Sequence, residues 1–125
     1  MKVIEIAFAG YPVKDVKQAR RFYEETLGLQ PSSVYEGEQM AWIEYDIGPG
    51  TLAIGKGMQG WNPSADGGAV ALEVDDFEGA VGRLREHGVQ FRFVPEETPV
   101  CHMAVIADPD GNSVLIHKRK PANGG

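Results

Sequence analysis

The chain has a single cysteine, Cys101, among its 125 residues. That excludes an internal disulfide and fits a reducing compartment. No apolar run approaches the roughly 20 residues a membrane-spanning helix needs. The opening Met1-Lys2-Val3-Ile4-Glu5 enters a strand pattern at once, with neither the apolar segment nor the small-residue cleavage site of a signal peptide. The expected location is therefore the cytoplasm, with no membrane partner. Positive charge is also scarce: 12 Lys and Arg stand against 18 Asp and Glu, a net charge of −6. This balance argues against nucleic acid as a partner and is compatible with a cationic ligand. The one basic cluster, Lys118-Arg119-Lys120, precedes a Pro/Asn/Gly tail and reads as a solvated terminus. No glycine-rich phosphate loop opens a helix, because Gly48-Pro49-Gly50 and the stretch 57–68 both lead into strands.

What is present is a repeat. Asp15 opens a helical pattern holding Ala19, Phe22, Tyr23 and Leu27 on one face, and Gly28 stops it. Gln18, three residues after Asp15, completes a capping box. Asp76 stands 61 residues further on and opens a second helix with Ala80, Val81 and Leu84, stopped by Gly88. His87 reads as a cap complementing the dipole at the end of that helix. Strands are expected over 3–9, near 33–36, 40–46 and 51–56, then over 69–74 and near 90–94, 101–107 and 113–118. The organisation expected is one domain of two βαβββ modules, 1–56 and 69–120. A glycine-rich linker, 57–68, joins them, and a tail, 121–125, follows. The fold class is α+β: two modules form a curved mixed sheet around a cleft, with the helices outside.

Two motifs sharpen this reading. The first is Asp-x-x-x-Ala-x-x-Phe-Tyr-x-x-x-Leu-Gly from Asp15, and the second is Asp-Pro-Asp-Gly-Asn from Asp108 to Asn112. In this order around the repeat, they resemble the vicinal oxygen chelate superfamily, the glyoxalase, bleomycin-resistance and extradiol-dioxygenase group. The resemblance covers nearly the whole chain. It implies the fold, a homodimer, and one of many activities, because the fold hosts lyases, epimerases, dioxygenases and drug-binding proteins. It also implies where the family's enzymes hold a divalent metal. Offsets from the two motifs put those positions at Phe8, Ala53, Ala69 and Leu115. None carries an oxygen, nitrogen or thiolate ligand, so the usual metal site is expected to be absent and no cofactor is expected.

Alternation along strands indicates what fills the cleft instead. Ile4 and Ile6 share a face with Phe8, Ala71 and Glu73 with Ala69, and His117 with Leu115. If the Asp108–Gly111 turn makes an even-length hairpin, Ala104 falls opposite Leu115 and His102 opposite His117. Similar arithmetic sets Trp42 opposite Ala53, with Glu44 next along. A β-bulge would reverse these placements. The expected ligand-binding set is Phe8, Trp42, Glu44, Glu73, Leu115, His102 and His117, with Trp61 as a lid, a dimer contact or a loose loop residue. Phe8, Trp42 and Leu115 equally suit plain core packing. Glu44 and Glu73 equally suit solvated positions or pairing with Arg83, Arg92 or Lys56. Cys101 points away from His102, which disfavours a Cys–His nucleophile pair.

Three functions follow. The leading one is metal-independent binding of a small organic molecule, cationic or aromatic; the apolar residues at the usual metal-ligand positions lean against an enzyme without deciding the matter. The second is a metal-dependent lyase, isomerase or dioxygenase with a relocated site using His102, His117 and a carboxylate. The third is a structural or regulatory module whose cleft is filled by its own side chains.

Overall fold

A computed structural model describes residues 1–2 and 4–121. Of the expected tail, 122–125 lie outside the described residues, as does Val3 of the first expected strand. The chain divides into two compact units, Met1–Pro63 and one beginning at Ser64. Each has its own helix and its own four-stranded mixed sheet.

The first unit contains β1 (Ala9–Pro12), α1 (Val16–Arg20), a π-helical continuation (Arg21–Thr26), β2 (Pro31–Glu36), β3 (Ala41–Ile47) and β4 (Gly50–Lys56). The sheet order is β1-β4-β3-β2, with β1 parallel to β4 and the other neighbours antiparallel. Asp15 caps α1 by accepting the Gln18 N–H at 3.1 Å. The wider turn begins after Arg20, and the Leu27 N–H bonds the Phe22 carbonyl five residues back. Gly28, at φ 76°, ends the helix, and the Leu29 N–H returns to the Tyr23 carbonyl. The helix covers one sheet face with Ala19, Phe22 and Tyr23 over Ile43, Tyr45 and Ile54, all buried. Tyr23 stacks between Tyr11 and Tyr45, with ring centroids 6.4 and 6.1 Å away. Burying each large side chain contributes about 1.5–3 kcal/mol. The Tyr45 hydroxyl donates to Glu24 at 2.9 Å, and Arg20 grips the same carboxylate at 2.6 Å. Burial raises the Tyr45 pKa, and the Glu24 hydrogen bond raises it further, so the phenol stays neutral.

The second unit contains β5 (Val70–Glu73), α2 (Phe77–Glu86), β6 (Phe91–Glu97), β7 (Cys101–Ala107) and β8 (Ser113–Arg119). Its sheet order is β5-β8-β7-β6, again with the first pair parallel. Asp76 caps α2 through the Gly79 N–H at 3.1 Å, and Gly88 (φ 70°) ends it. His87 is the C-cap, with Nδ1 2.9 Å from the Arg83 carbonyl oxygen. Val81 and Leu84 press onto a core of Ala104, Ile106, Val114 and Ile116.

The expected order of elements is the observed one, with one displacement. The first strand is Ala9–Pro12 rather than 3–9, and Ile4 and Ile6 are 79% and 83% exposed. Parallel pairing sets Ala9 beside Leu52. Continuing it backwards would bring Phe8 to Thr51 and Ala7 to Gly50, where β4 begins at a turn. Residues 4–6 therefore have no neighbouring strand in their unit, although their sequence alternates as a strand does.

Capping by Asp76 satisfies an N–H that the helix leaves open. Replacing Asp76 with Ala is expected to lower unfolding free energy by about 1 kcal/mol, measured by urea denaturation.

Candidate functional site: the open sheet faces

Hairpin length decides which side chains the face away from each helix displays. In the first unit, β3 and β4 join through Gly48-Pro49, with Ile47 paired to Gly50. Gly48 has φ 56°, the positive value a two-residue turn requires at its first position. The resulting register pairs Trp42 with Gly55 and Glu44 with Ala53. Trp42 thus lies opposite Gly55 rather than the expected Ala53, a shift of two residues that preserves its face.

Gly55 is what lets the tryptophan lie down. A Cβ built there would come 2.7 Å from Trp42 Cε3 and 2.9 Å from Trp61 Cζ3. Gly10 makes a second gap, its Cβ position 3.3 Å from Trp61. Trp61 comes from the glycine-rich stretch, and its ring centroid lies 6.0 Å from that of Trp42 at 31°. Phe8 meets Trp42 edge-on at 5.3 Å. The Trp42 Nε1–H donates to Glu44 Oε2 at 2.8 Å. Among the described residues no other partner holds the Glu44 carboxylate. Phe8, Trp42, Trp61 and Glu44 therefore form one half-exposed group: three aromatic rings on a bare backbone floor, with a fixed carboxylate at the edge. Such rings offer stacking faces worth about 1 kcal/mol each beyond area burial. The carboxylate favours a positive charge nearby.

In the second unit the turn is longer. Ala107 pairs with Ser113, leaving five residues, Asp108 to Asn112, in the loop. Asp108 organises it, accepting N–H bonds from Asp110 and Asn112 on Oδ1 and the Asn112 amide on Oδ2, at 2.8–2.9 Å. An odd loop reverses the expected placement. Leu115 pairs with Val105, His117 with Met103, and Ala104 with Ile116. His102 is paired with Lys118 and lies against Phe77 of α2. It is thus on the helix side, while His117 is on the open side. Cys101 keeps the opposite parity to His102, which places it on the His117 face, buried and held by Thr98.

Glu73 and His117 are cross-strand partners on that open face. Glu73 Oε1 lies 2.6 Å from His117 Nδ1, and Oε2 accepts the Arg119 N–H at 2.7 Å. These are its partners, in place of Arg83, Arg92 or Lys56. The Arg119 N–H, and after it His117, holds the Glu73 carboxyl below its ordinary value. Leu115 sits on the same face, beside Ala71.

These placements bear on a metal. Phe8, Ala53, Ala69 and Leu115 offer no donor atom. The relocated set fails on register, because His102 and His117 point to opposite sides of one sheet. Among the described residues no group of three or more His, Cys, Asp or Glu could hold a metal ion. The donor set does not fit the family's metal. Residues that sequence reasoning missed are Gly10 and Gly55. The signal was available, since Gly48-Pro49 as a two-residue turn puts Gly55 across from Trp42.

Residues 5–116 match the Glyoxalase/Bleomycin resistance protein/Dioxygenase superfamily, and the chain belongs to it. Among solved structures, the chain is similar to TnmS3, an antibiotic binding protein from Streptomyces sp. CB03234. The two are 26% identical over 96% of this chain and 99% of that one, with a TM-score of 0.81. A glyoxalase/bleomycin resistance protein from the same organism is 27% identical, with 90% and 98% of the chains covered and a TM-score of 0.74. A superfamily member from Sphaerobacter thermophilus DSM 20745 is 25% identical, with 93% and 98% covered and a TM-score of 0.73. Among proteins of curated function, none is similar enough in sequence to match.

Two outcomes test this geometry. Gly55→Ala should force both indoles off the sheet, costing about 1–3 kcal/mol and shifting the tryptophan emission. Glu73 has a depressed pKa, so its contribution to stability is present above the ordinary carboxylate pKa and is lost as pH falls through the lower folded value. The stability difference between the protein and Glu73→Gln, followed by urea denaturation, should be constant at neutral pH. It should shrink below about pH 4.5.

Proposed function

We propose that this protein binds a small organic molecule with a planar aromatic part, without a metal, on the open face of its first unit. The observation that carries the reading is the Trp42–Trp61–Phe8 group lying over Gly55 and Gly10, with Glu44 fixed at its edge. A side chain packed only for stability gains little from a carboxylate hydrogen-bonded to the indole of a half-exposed tryptophan. The carboxylate instead selects a ligand that carries positive charge beside its ring. Absence of donor atoms at Phe8, Ala53, Ala69 and Leu115 supports binding over metal-assisted catalysis. Similarity to a protein described as antibiotic binding points the same way. Glu73, His117 and Leu115 are proposed as ligand-binding residues on the open face of the second unit itself.

A second reading rests on the same contacts. Trp42 packs against both Phe8 and Trp61, as it would if the three filled their own face and left no room for a ligand. No helix among the described residues is long and apolar enough to cross a membrane. We place the protein in the cytoplasm as a homodimer, in which a second copy covers the exposed Ile4 and Ile6. Sedimentation at twice the chain mass is the expected result.

Fluorescence titration separates the two readings. Proflavine, flat and cationic, should quench tryptophan emission saturably, whereas 9-anthracenecarboxylate, flat and anionic, should bind at least tenfold more weakly. Trp42→Ala should weaken proflavine about tenfold or more, which is about 1.4 kcal/mol, and Glu44→Gln should narrow the difference between the two dyes. A self-filled face gives no saturable quenching by either.

A further inference from the structure

We propose that the groove on the helix side of the second unit's sheet is a separate binding site for a small organic cation with an apolar body. The groove has a volume of about 760 Å³ and lies between α2 and the end of β6. That size is in the range of small-molecule sites.

Its origin is visible in the strands. The β6–β7 register shifts between Phe93 and Glu96, so three steps on β6 face two on β7. Val94 and Pro95 fall in that bulge, and proline has no N–H to give a ladder. Both side chains line the groove, and Val94 is 66% exposed. On the opposite wall, Val81 and Gly82 of α2 line it. The floor is a pair of rings: Phe77 lies 5.5 Å from His102 at 33°. His102 reaches this floor because the five-residue Asp108–Asn112 loop turns it to the helix side.

Gly82 is the telling residue. A glycine inside a helix is destabilising relative to alanine. Packing does not demand it, since a Cβ there would meet nothing within 4 Å. Its effect is to leave the helix wall of the groove bare, where an incoming group approaches the backbone.

Charge selects the occupant. Five acidic residues stand along the groove against Arg85 and Lys118, although the Glu96 side chain, paired with Met103, points to the open face. Arg85 is turned over the Phe91 ring at 5.5 Å. Asp76 is engaged in capping α2, and Glu97 is held by Lys120. The carboxylates of Asp75 and Glu78 have no hydrogen bond or ion pair among the described residues. An anion would therefore be repelled, and a bare metal ion finds no group of three donors. An ammonium carried on an apolar body meets carboxylates at the rim and ring faces on the floor.

The test is NMR titration of the full-length protein with benzyltrimethylammonium. Saturable shifts are expected for the Phe77 and His102 ring signals and the Gly82 amide, while the Trp42 and Trp61 indole N–H signals stay in place. The latter separates this site from the aromatic face of the first unit. Gly82→Met fills open space without a clash, so it should fold normally and weaken binding at least tenfold. The paired change Asp75→Asn and Glu78→Gln should do the same. Three results would overturn the site: shifts that rise linearly without saturating, undiminished affinity in Gly82→Met, or equal affinity for neopentylbenzene, the neutral carbon isostere.

Discussion

A missing side chain at Gly55 is the constraint on which the first unit's open face depends. Two indoles converge on that one backbone position, one from β3 and one from the glycine-rich stretch, and a single methyl there would collide with both. Once the tryptophans lie flat, Phe8 can meet Trp42 edge-on, and the indole N–H is aimed along the sheet at Glu44. The register that brings Trp42 across from Gly55 comes from the two-residue Gly48-Pro49 turn. A local conformational choice of a few residues thus sets the chemistry of a whole sheet face.

The second unit makes the same point in reverse. Its hairpin closes through five residues, organised by the Asp108 carboxylate. The change from an even loop to an odd one rotates every β7 side chain to the other face relative to β8. His102 leaves His117 and joins Phe77, which removes the possibility of a shared metal and builds the floor of a different groove. What His117 keeps is Glu73, clamped at both oxygens.

Most of the architecture was legible in the sequence because its signals are local. Asp15 with Gln18, Asp76, Gly28 and Gly88 bound the helices, and alternating apolar residues mark the strands. The first strand was misplaced because alternation records the face a residue would show, whereas pairing needs a neighbour, and β4 begins too late to supply one. In the candidate site, the faces of Trp42 and Glu44 were legible because the β3–β4 hairpin has an even loop, Gly48-Pro49, as the arithmetic assumed. The face of His102 was not, since parity across a hairpin depends on loop length, and Asp-Pro-Asp-Gly-Asn closes one residue later than an even turn would. Gly10 and Gly55 escaped notice because a glycine's role here is the space it leaves. The superfamily supplies the scaffold without the activity, and the donor positions the chain lacks narrow the chemistry further.

The central claim is that a ligand is recognised by aromatic stacking and one carboxylate, with no metal taking part. It is tested most directly by calorimetric titration of proflavine into protein stripped with chelator and into protein loaded in turn with Zn²⁺, Ni²⁺, Fe²⁺ and Mn²⁺. The account predicts one affinity throughout, within error, and no stoichiometric metal carried by any sample. Binding that vanishes on stripping and returns with one of the metals would contradict it.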